Sequence, residues 1–208
     1  MTTSDRIVAA ALELFAAQGY KGTSVGEIEA AAGLSPRSGA LYKHFPSKAA
    51  VLEAAIQQRS DDVDAAESVI RLLPLGDIRA ELTLLARLAL AQLARERSLA
   101  RIIMKEGDQF PALVSAFYER SVRRGFEQAA RYWRDTYERA GVEPPAGDEA
   151  ASVMLAGLVF YRVHDFMFGR PVGEHDEEAY VQAWVEAALV QFRAAGIDVD
   201  SKQEAHHE

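Results

Sequence analysis

Cysteine is absent from the 208 residues of this chain. Its absence excludes disulfides, thiolate catalysis, thiol redox sensing and zinc sites with cysteine ligands. The five histidines are scattered, and the only Glu-x-x-His spacing, Glu204–His207, lies in the polar C-terminal residues. The sequence also has no nucleophile elbow, P-loop or dinucleotide-binding fingerprint. We therefore expect no enzyme, no metal site and no cofactor.

Long hydrophobic runs are missing as well. Crossing a bilayer takes about 18 consecutive apolar residues, and Arg87, Arg101 and Arg162 interrupt the most apolar stretches. The first residues, MTTSDRIVAAALELF, lack a basic start and include Asp5 and Glu13, which is unlike a secretory signal peptide. The sequence therefore predicts a cytoplasmic protein with no membrane partner.

Positive charge is scarce overall, because the net charge is −8. This balance opposes attraction of the whole molecule to nucleic acid. The distribution is uneven, however. Residues 1–50 have a balance of +1, and residues 37–48 contain three cations, Arg37, Lys43 and Lys48, and no acid. This segment is a local cationic site on an acidic protein.

Strand-like alternation of apolar and polar residues is absent, and the periodicity is helical almost throughout. The N-terminal pattern predicts three short helices: from Ser4 to Gly19, from Thr23 or Ser24 to Gly33, and one that closes around Phe45 before Pro46. Further helices are predicted from Ser47 to Pro74 and at about 77–97, 98–106, 111–140, 148–168 and 176–195. The expected fold is all-α with about nine helices. Its predicted parts are a three-helix domain at 1–48, a larger helical bundle at 49–198 and a polar tail at 199–208.

Two short helices joined by a glycine turn, behind a first helix, are typical of a helix-turn-helix. In this arrangement the second of the two helices enters the DNA major groove and presents side chains to base edges. Contacts with phosphates supply much of the affinity. The N-terminal domain is therefore predicted to bind double-stranded DNA. A dimer is expected as well, because one such unit reads too few base pairs.

The residues RIVAAALELFAAQGYKGTSVGEIEAAAGLS and GALYKHFPSKAAVLEAAI resemble the tetracycline-repressor (TetR) family of bacterial transcription regulators. The resemblance covers residues 4 to about 56, and its landmarks fall in order: Leu14-Phe15, Gly19-Tyr20, Thr23, Ile28, Ala32-Gly33, Leu41-Tyr42, Phe45 and Ser47-Lys48. It implies a C-terminal bundle that binds a small-molecule effector and forms a homodimer.

Two features depart from the family pattern. Gly26 stands where many relatives carry a basic or polar residue, and the spacing from Gly33 to Leu41 is two residues longer than usual. In one interpretation Ser35 caps the recognition helix, which gains two residues. In the other, the residues SPRS form a wider turn with Ser38 near the helix start. We favour the second interpretation because it puts Gly39 at the glycine position of the family.

The resemblance and the local chemistry together predict three sets of site residues. The predicted DNA-binding residues are Thr23, Ser35, Arg37, Ser38, Gly39, Ala40, Tyr42, Lys43, His44 and Lys48. The predicted effector-binding residues are Arg101, Met104, Phe110, Phe117, Trp133, Tyr137, Tyr161 and His164. The predicted dimer interface, from two helices with large apolar faces, is Leu155, Leu158, Val159, Val181, Trp184, Val185, Ala188 and Phe192.

The expected function is that of a ligand-responsive repressor, which binds a (pseudo)palindromic operator as a homodimer. A small hydrophobic or amphipathic effector would release it from DNA. The alternative is a small-molecule-binding protein of the same fold that has lost sequence-specific DNA recognition. The unusual turn and Gly26 keep this alternative open.

Overall fold

A computed structural model describes residues 1–55, 70–171, 173 and 175–200. Every regular element in these ranges is helical and none is a strand, which confirms the all-α prediction. The described residues form two compact units. The first unit comprises those of Met1–Val63 and Arg95–Ser121, and the second unit those of Asp64–Ala94 and Val122–Glu208. This division by packing differs from the predicted division at residue 48, which concerns function and stays a prediction.

The described ranges contain these α-helices, in chain order. They are α1 (Thr3–Gln18), α2 (Val25–Ala31), α3 (48–55, where the described range ends), α4 (Ile78–Arg95), α5 (Arg97–Glu106), α6 (Pro111–Phe117), α7 (Arg123–Arg139), α8 (Glu149–Phe168) and α9 (Glu177–Ala194). Two 3-10 helices, Leu41–Lys43 and Gly107–Gln109, and a π-helical turn, Tyr118–Val122, lie between them.

Several boundaries differ from the sequence-based predictions. Thr2 rather than Ser4 caps α1, because Thr2 and Asp5 form a reciprocal capping box. The predicted helix from Ser47 to Pro74 falls partly on 56–69, outside the described residues, and 71–76 are not helical. The predicted helix at 111–140 is divided by the π-helical turn. The predicted polar tail lies outside the described residues from 201 onwards.

The core of the first unit is built around the apolar face of α1. Residues at helical spacing on α1 are buried against α2, the 3-10 helix Leu41–Lys43 and α3. Helices α5 and α6 contribute to the same core through Leu99, Ile102 and Leu113. The residues at 95–121 therefore complete the hydrophobic core of the helix-turn-helix region.

The core of the second unit joins α4, α7, α8 and α9. Aromatic rings lie at its centre, where Trp133 of α7 packs against Trp184 and Phe192 of α9. The Trp184 ring N–H donates to the Met154 carbonyl of α8 at 2.7 Å. A buried polar network around Glu81 links α4 to α7.

Candidate nucleic-acid interface

The start of α2 is set by a reciprocal capping box. The Ser24 hydroxyl accepts the Glu27 backbone N–H at 3.3 Å, and the Glu27 carboxylate accepts the Ser24 backbone N–H at 2.7 Å. The Ser24 hydroxyl also donates to this carboxylate and is the main cause of a lowered Glu27 pKa. Ser24 and Glu27 thus form a capping box at the start of α2.

Two of the predicted DNA contacts point into the protein instead. Thr23 is 2% exposed, and its hydroxyl donates to the Gly19 carbonyl at 2.8 Å. The Lys48 ammonium donates to the carbonyls of Tyr20 and Thr23 at 2.5 and 2.7 Å, and lies 4.2 Å from the centre of the Tyr20 ring. Burial lowers the pKa of Lys48. Both side chains hold the α1–α2 turn together, and their contact with DNA stays a prediction.

Helix α5 supports the same turn from another side. The Tyr20 backbone N–H donates to Glu106 Oε1 at 2.6 Å. Gly19 has a φ of 87°, and a Cβ added there would lie 2.7 Å from the same carboxylate oxygen. Only glycine satisfies both conditions. The Lys105 ammonium donates to the Ala16 carbonyl at 3.1 Å and so links α5 to α1 as well.

The residues SPRS form a wide turn, as the second interpretation predicted. Arg37 has a φ of 59° and Gly39 a φ of 71°, so neither residue can belong to a right-handed helix. The Ser38 hydroxyl accepts the Ala40 backbone N–H at 3.3 Å, next to the start of the 3-10 helix Leu41–Lys43. The third predicted helix is therefore a single 3-10 turn. It is short because positive φ angles precede it and Pro46 follows.

This 3-10 turn is anchored on the core of the first unit. Leu41 and Phe45 are buried, and the Leu41 backbone N–H donates to Glu29 Oε1 of α2 at 3.0 Å. Glu29 is itself fully buried, and its second oxygen, Oε2, has no hydrogen-bond partner. One buried acceptor on α2 thus fixes the position of the recognition segment, residues 35–44.

Substituting Glu29 tests this anchor. In Glu29→Ala the buried Leu41 N–H loses its acceptor, and we expect the free energy of unfolding to fall by about 1–3 kcal/mol. Glu29→Gln keeps an acceptor for Leu41 and nearly the same volume, so it is expected to unfold closer to the wild type than the alanine variant does. Urea unfolding followed by circular dichroism distinguishes the two variants. Equal stability of the alanine variant and the wild type would contradict the role of Glu29.

The remaining predicted DNA contacts lie on the surface. Tyr42 is 58% exposed, and the side chains of Ser35, Arg37, Ser38, Lys43 and His44 are exposed too. Gly39 and Ala40 are half-buried. Within the described ranges, Arg37 and Lys43 make no ion pair with an acid of this chain. The recognition segment therefore presents hydrogen-bond donors, unpaired cations and an aromatic ring on a well-anchored backbone.

The predicted effector-binding residues divide between the two units. In the first unit, Phe110 packs edge-on against Tyr20, with ring centres 4.7 Å apart. The others there are Arg101, Met104 and Phe117. In the second unit, Trp133 and Tyr137 are buried core residues, and Trp133 Nε1 has no acceptor. Tyr161 stacks on Tyr180 at 4.3 Å, and His164 Nδ1 lies 3.0 Å from the Arg170 carbonyl oxygen. Their role in effector binding stays a prediction.

The described residues were compared with the side-chain groups that bind metal ions. No group of three or more His, Asp and Glu side chains among these residues is arranged to hold an ion. Both residues of the Glu204–His207 spacing lie outside the described residues.

Two segments of the sequence match known protein families. Residues 7–55 match the family described as bacterial regulatory proteins, tetR family, and residues 80–194 match the AefR-like transcriptional repressor C-terminal domain. The second match alone spans more than half of the chain. The chain belongs to the TetR family. As a TetR-family regulator it has a helix-turn-helix and a C-terminal helical domain.

Solved TetR-type structures share the fold over nearly the whole length. The flavonoid-responsive regulator FrrA is 29% identical, with a TM-score of 0.61, and the match covers 93% of this chain and 96% of that one. FadR from Bacillus subtilis, in complex with stearoyl-CoA, is 18% identical with a TM-score of 0.67, covering 88% and 96%. AibR, in complex with isovaleryl coenzyme A and operator DNA, is 18% identical with a TM-score of 0.63, covering 89% and 97%.

Most residues of the predicted dimer interface lie in the hydrophobic core of the second unit of this TetR-family chain. Six of the eight predicted residues are buried within the second unit: Leu158, Val181, Trp184, Val185, Ala188 and Phe192. Side chains that pack inside one chain leave little surface for a second copy, and the interface at these residues stays a prediction. Leu155 and Val159 are half-buried.

The apolar residues that remain exposed lie on other faces of the same two helices. On α8 they include Val153 at 67% and Phe160 at 58%, and on α9 Val190 at 60%. Exposed alanines continue each face at helical spacing: Ala156 on α8, and Ala183 and Ala187 on α9. The sequence contained this signal, because V-x-x-A-x-x-x-F is a separate apolar stripe on α8. We name these six residues the α8–α9 apolar face.

Helix α8 is also, within the described ranges, the one helix long and apolar enough by length and composition to cross a membrane. Its composition has another explanation in this fold. Met154, Leu158 and Tyr161 are buried in the core of the second unit, while Val153 and Phe160 belong to the α8–α9 apolar face. Two apolar faces on one helix are enough to explain its high apolar content.

Proposed function

We propose that this protein is a homodimeric transcription repressor that binds a (pseudo)palindromic operator in the cytoplasm. In this proposal a small hydrophobic or amphipathic effector releases it from DNA. The observation that carries the proposal is the recognition segment: its exposed cations and Tyr42 stand on a backbone fixed by buried Leu41 and Glu29. Membership of the TetR family agrees with it.

Each exposed side chain of the recognition segment suits a particular contact. An arginine presents several donors in a planar fork and binds guanine edges or phosphates. Lys43 and His44 suit phosphates, and the Tyr42 hydroxyl suits either a phosphate or a base. Because the whole protein is acidic, these local groups must supply the attraction that its net charge does not.

A second copy of the chain is the proposed occupant of the α8–α9 apolar face. Contiguous apolar area on a protein surface marks interaction sites. Two antiparallel faces of this kind, related by a two-fold axis, would form a four-helix interface. The resulting dimer would hold two recognition segments about one turn of DNA apart, roughly 34 Å. This face differs from the residues predicted from the sequence, most of which are buried within one chain.

The effector class is supported by the relatives and by one buried donor. FrrA responds to flavonoids, and the FadR and AibR structures hold acyl-coenzyme A molecules. In this chain the Trp133 ring N–H is buried without an acceptor, beside the aromatic rings of Trp184 and Phe192. An oxygen of an otherwise apolar ligand would satisfy it. Such a ligand releases DNA only if it binds the DNA-free conformation more tightly.

Selection from a double-stranded DNA library with a randomised centre tests the proposal. We expect the wild type to enrich an inverted repeat whose half-sites are centred about 10 base pairs apart. Affinity for the enriched duplex should fall steeply as salt rises, because phosphate contacts release counterions. Repeating the selection with stearoyl-coenzyme A or a flavonoid should reduce recovery of the motif. A duplex of scrambled sequence is the matched control.

Failure to enrich any sequence would contradict the repressor proposal. If the protein still bound an effector, the alternative of a ligand-binding protein without DNA recognition would hold instead. Enrichment that grows when effector is added would identify a regulator whose ligand promotes DNA binding.

A further inference from the structure

We propose that Gly26 and Arg37 form a matched pair, in which the missing side chain of Gly26 gives Arg37 its place on α2, and that Arg37 held there reads a base of the operator. The proposal rests on the proposed function as a DNA-binding regulator. It goes beyond it by assigning a specificity-determining residue and the residue that positions it.

The backbone of Arg37 is the first observation. With a φ of 59° it is the one non-glycine residue with a positive φ among the residues that the structure describes. The left-handed conformation costs an ordinary residue about 1–2 kcal/mol. Glycine would adopt it without this cost, so the arginine side chain has a use that outweighs the strain.

The contact with α2 is the second observation. A Cβ built on Gly26 would lie 3.1 Å from Arg37 Cγ, 3.7 Å from its backbone nitrogen and 4.0 Å from Nε. The first of these distances is closer than ordinary van der Waals contact. Any larger residue at position 26 therefore moves the Arg37 side chain.

The backbone of Gly26 gives no other reason for a glycine. The residue lies in the first turn of α2, and its φ is not positive. Alanine is the better helix former, by about 1 kcal/mol. Glycine leaves the Arg37 side chain where it is, whereas a Cβ at position 26 would require it to shift by a few tenths of an ångström. The two departures from the family pattern, Gly26 and the wide turn, are thus one structural feature.

The placement of Arg37 suits a contact with bases. It lies in the turn between α2 and the 3-10 helix Leu41–Lys43, the two elements of the helix-turn-helix, and its side chain is exposed. Its Cγ and Nε both lie against α2, which restricts the directions that the guanidinium can take. A pre-positioned guanidinium is well suited to a bidentate contact with guanine O6 and N7.

A double-mutant cycle tests the pairing on the duplex enriched by the wild type. Arg37→Ala is expected to weaken binding about 10- to 100-fold and to relax the preference at one position of each half-site. Gly26→Ala should weaken binding in the same direction, while its melting temperature stays at or above that of the wild type. The double variant should bind no worse than Arg37→Ala alone, because the two changes remove one interaction.

Three further variants make the result specific. Gly125→Ala, in α7, brings a Cβ no closer than 3.8 Å to Leu155 and is the matched glycine control, expected to bind as the wild type. Arg37→Gly keeps the left-handed turn and should lose as much affinity as Arg37→Ala. Arg37→Lys keeps the charge but not the fork, and is expected to lose selectivity.

Several outcomes would overturn the proposal. If Gly26→Ala bound and selected like the wild type, or if the two losses added in the double variant, the residues would not be paired. If Arg37→Ala weakened all duplexes equally and flattened the salt dependence, Arg37 would contact phosphate and not a base. Enrichment of no sequence by the wild type would overturn the proposed function as well.

Discussion

Replacing Glu81 with glutamine is expected to lower the free energy of unfolding by about 3 kcal/mol. Glu81 is 1% exposed, and both carboxylate oxygens accept hydrogen bonds. Oε1 accepts the backbone N–H groups of Leu75 and Gly76 at 2.7 and 3.2 Å. Oε2 accepts the Tyr132 hydroxyl at 2.9 Å and the Arg139 guanidinium at 3.2 Å. Every partner is a donor, so a glutamine would turn its own NH₂ group towards one of the two pairs.

The Tyr132 hydroxyl keeps the proton that it donates to Glu81. Burial, and then the negative charge of Glu81, raise the pKa of Tyr132 far above its usual value of 10.0. The folded protein therefore keeps a proton that the unfolded chain releases. This contribution to stability is present below pH 10 and is lost as the pH rises further. In Glu81→Gln the loss above pH 10 should be smaller, because one cause of the raised pKa is gone.

Urea unfolding at neutral pH, followed by circular dichroism, measures the Glu81 effect. The matched control is Glu178→Gln. Glu178 pairs with Arg87 at 2.9 Å, but both side chains are more than half exposed, and an exposed pair contributes little to stability. We expect the control to unfold at nearly the wild-type urea concentration. A Glu81→Gln midpoint that matches the control would contradict the importance of the buried network.

Replacing Phe160 with glutamate is expected to convert the proposed dimer into a monomer. Two-fold symmetry puts Phe160 into the interface twice. Burial of a phenylalanine contributes about 1.5–3 kcal/mol, so two copies contribute about 3–6 kcal/mol. The dissociation constant of the dimer should therefore rise by about 10²- to 10⁴-fold. Repulsion between the two glutamates adds to the effect. Operator binding should fall with it, because a monomer contacts one half-site only.

Sedimentation velocity and anisotropy with the enriched duplex measure the two consequences. Gln182→Glu adds the same charge on α9 outside the α8–α9 apolar face, and it is expected to remain dimeric. The Phe160→Glu variant should sediment with the mass of one chain, 22.8 kDa. An unchanged dimer with full operator affinity would place the interface elsewhere. Val190→Glu should repeat the result from the other helix.

Local sequence was sufficient to predict most of the helices. The capping box of Ser24 and Glu27 and the helix-ending Gly169 depend on neighbouring residues only. The shape of the recognition segment depends on contacts between residues distant in the chain. Leu41 bonds to Glu29, twelve positions earlier, and Arg37 packs on Gly26. Periodicity does not include such contacts. It therefore left two interpretations of the SPRS turn open, and it predicted a longer third helix than the single 3-10 turn Leu41–Lys43 that occurs.

The choice of dimer residues from the sequence faced a related ambiguity. Helices α8 and α9 each carry two apolar faces, and composition alone does not say which of them faces the core. The sequence-based prediction chose the larger side chains, such as Trp184 and Phe192, which fill the interior of the second unit. The α8–α9 apolar face, which consists of smaller side chains and Phe160, is exposed instead. Only the packing of four helices against one another distinguishes the two faces.

The participation of α5 and α6 in the first unit bears on protein engineering. A fragment that ends soon after α3 would lack Leu99, Ile102 and Leu113, and would expose the apolar face of α1 that they cover. A chimera that joins the helix-turn-helix region of this protein to the C-terminal domain of another regulator should therefore include residues 95–121 as well as the N-terminal residues. A chimera joined directly after the helix-turn-helix would separate two parts of one hydrophobic core.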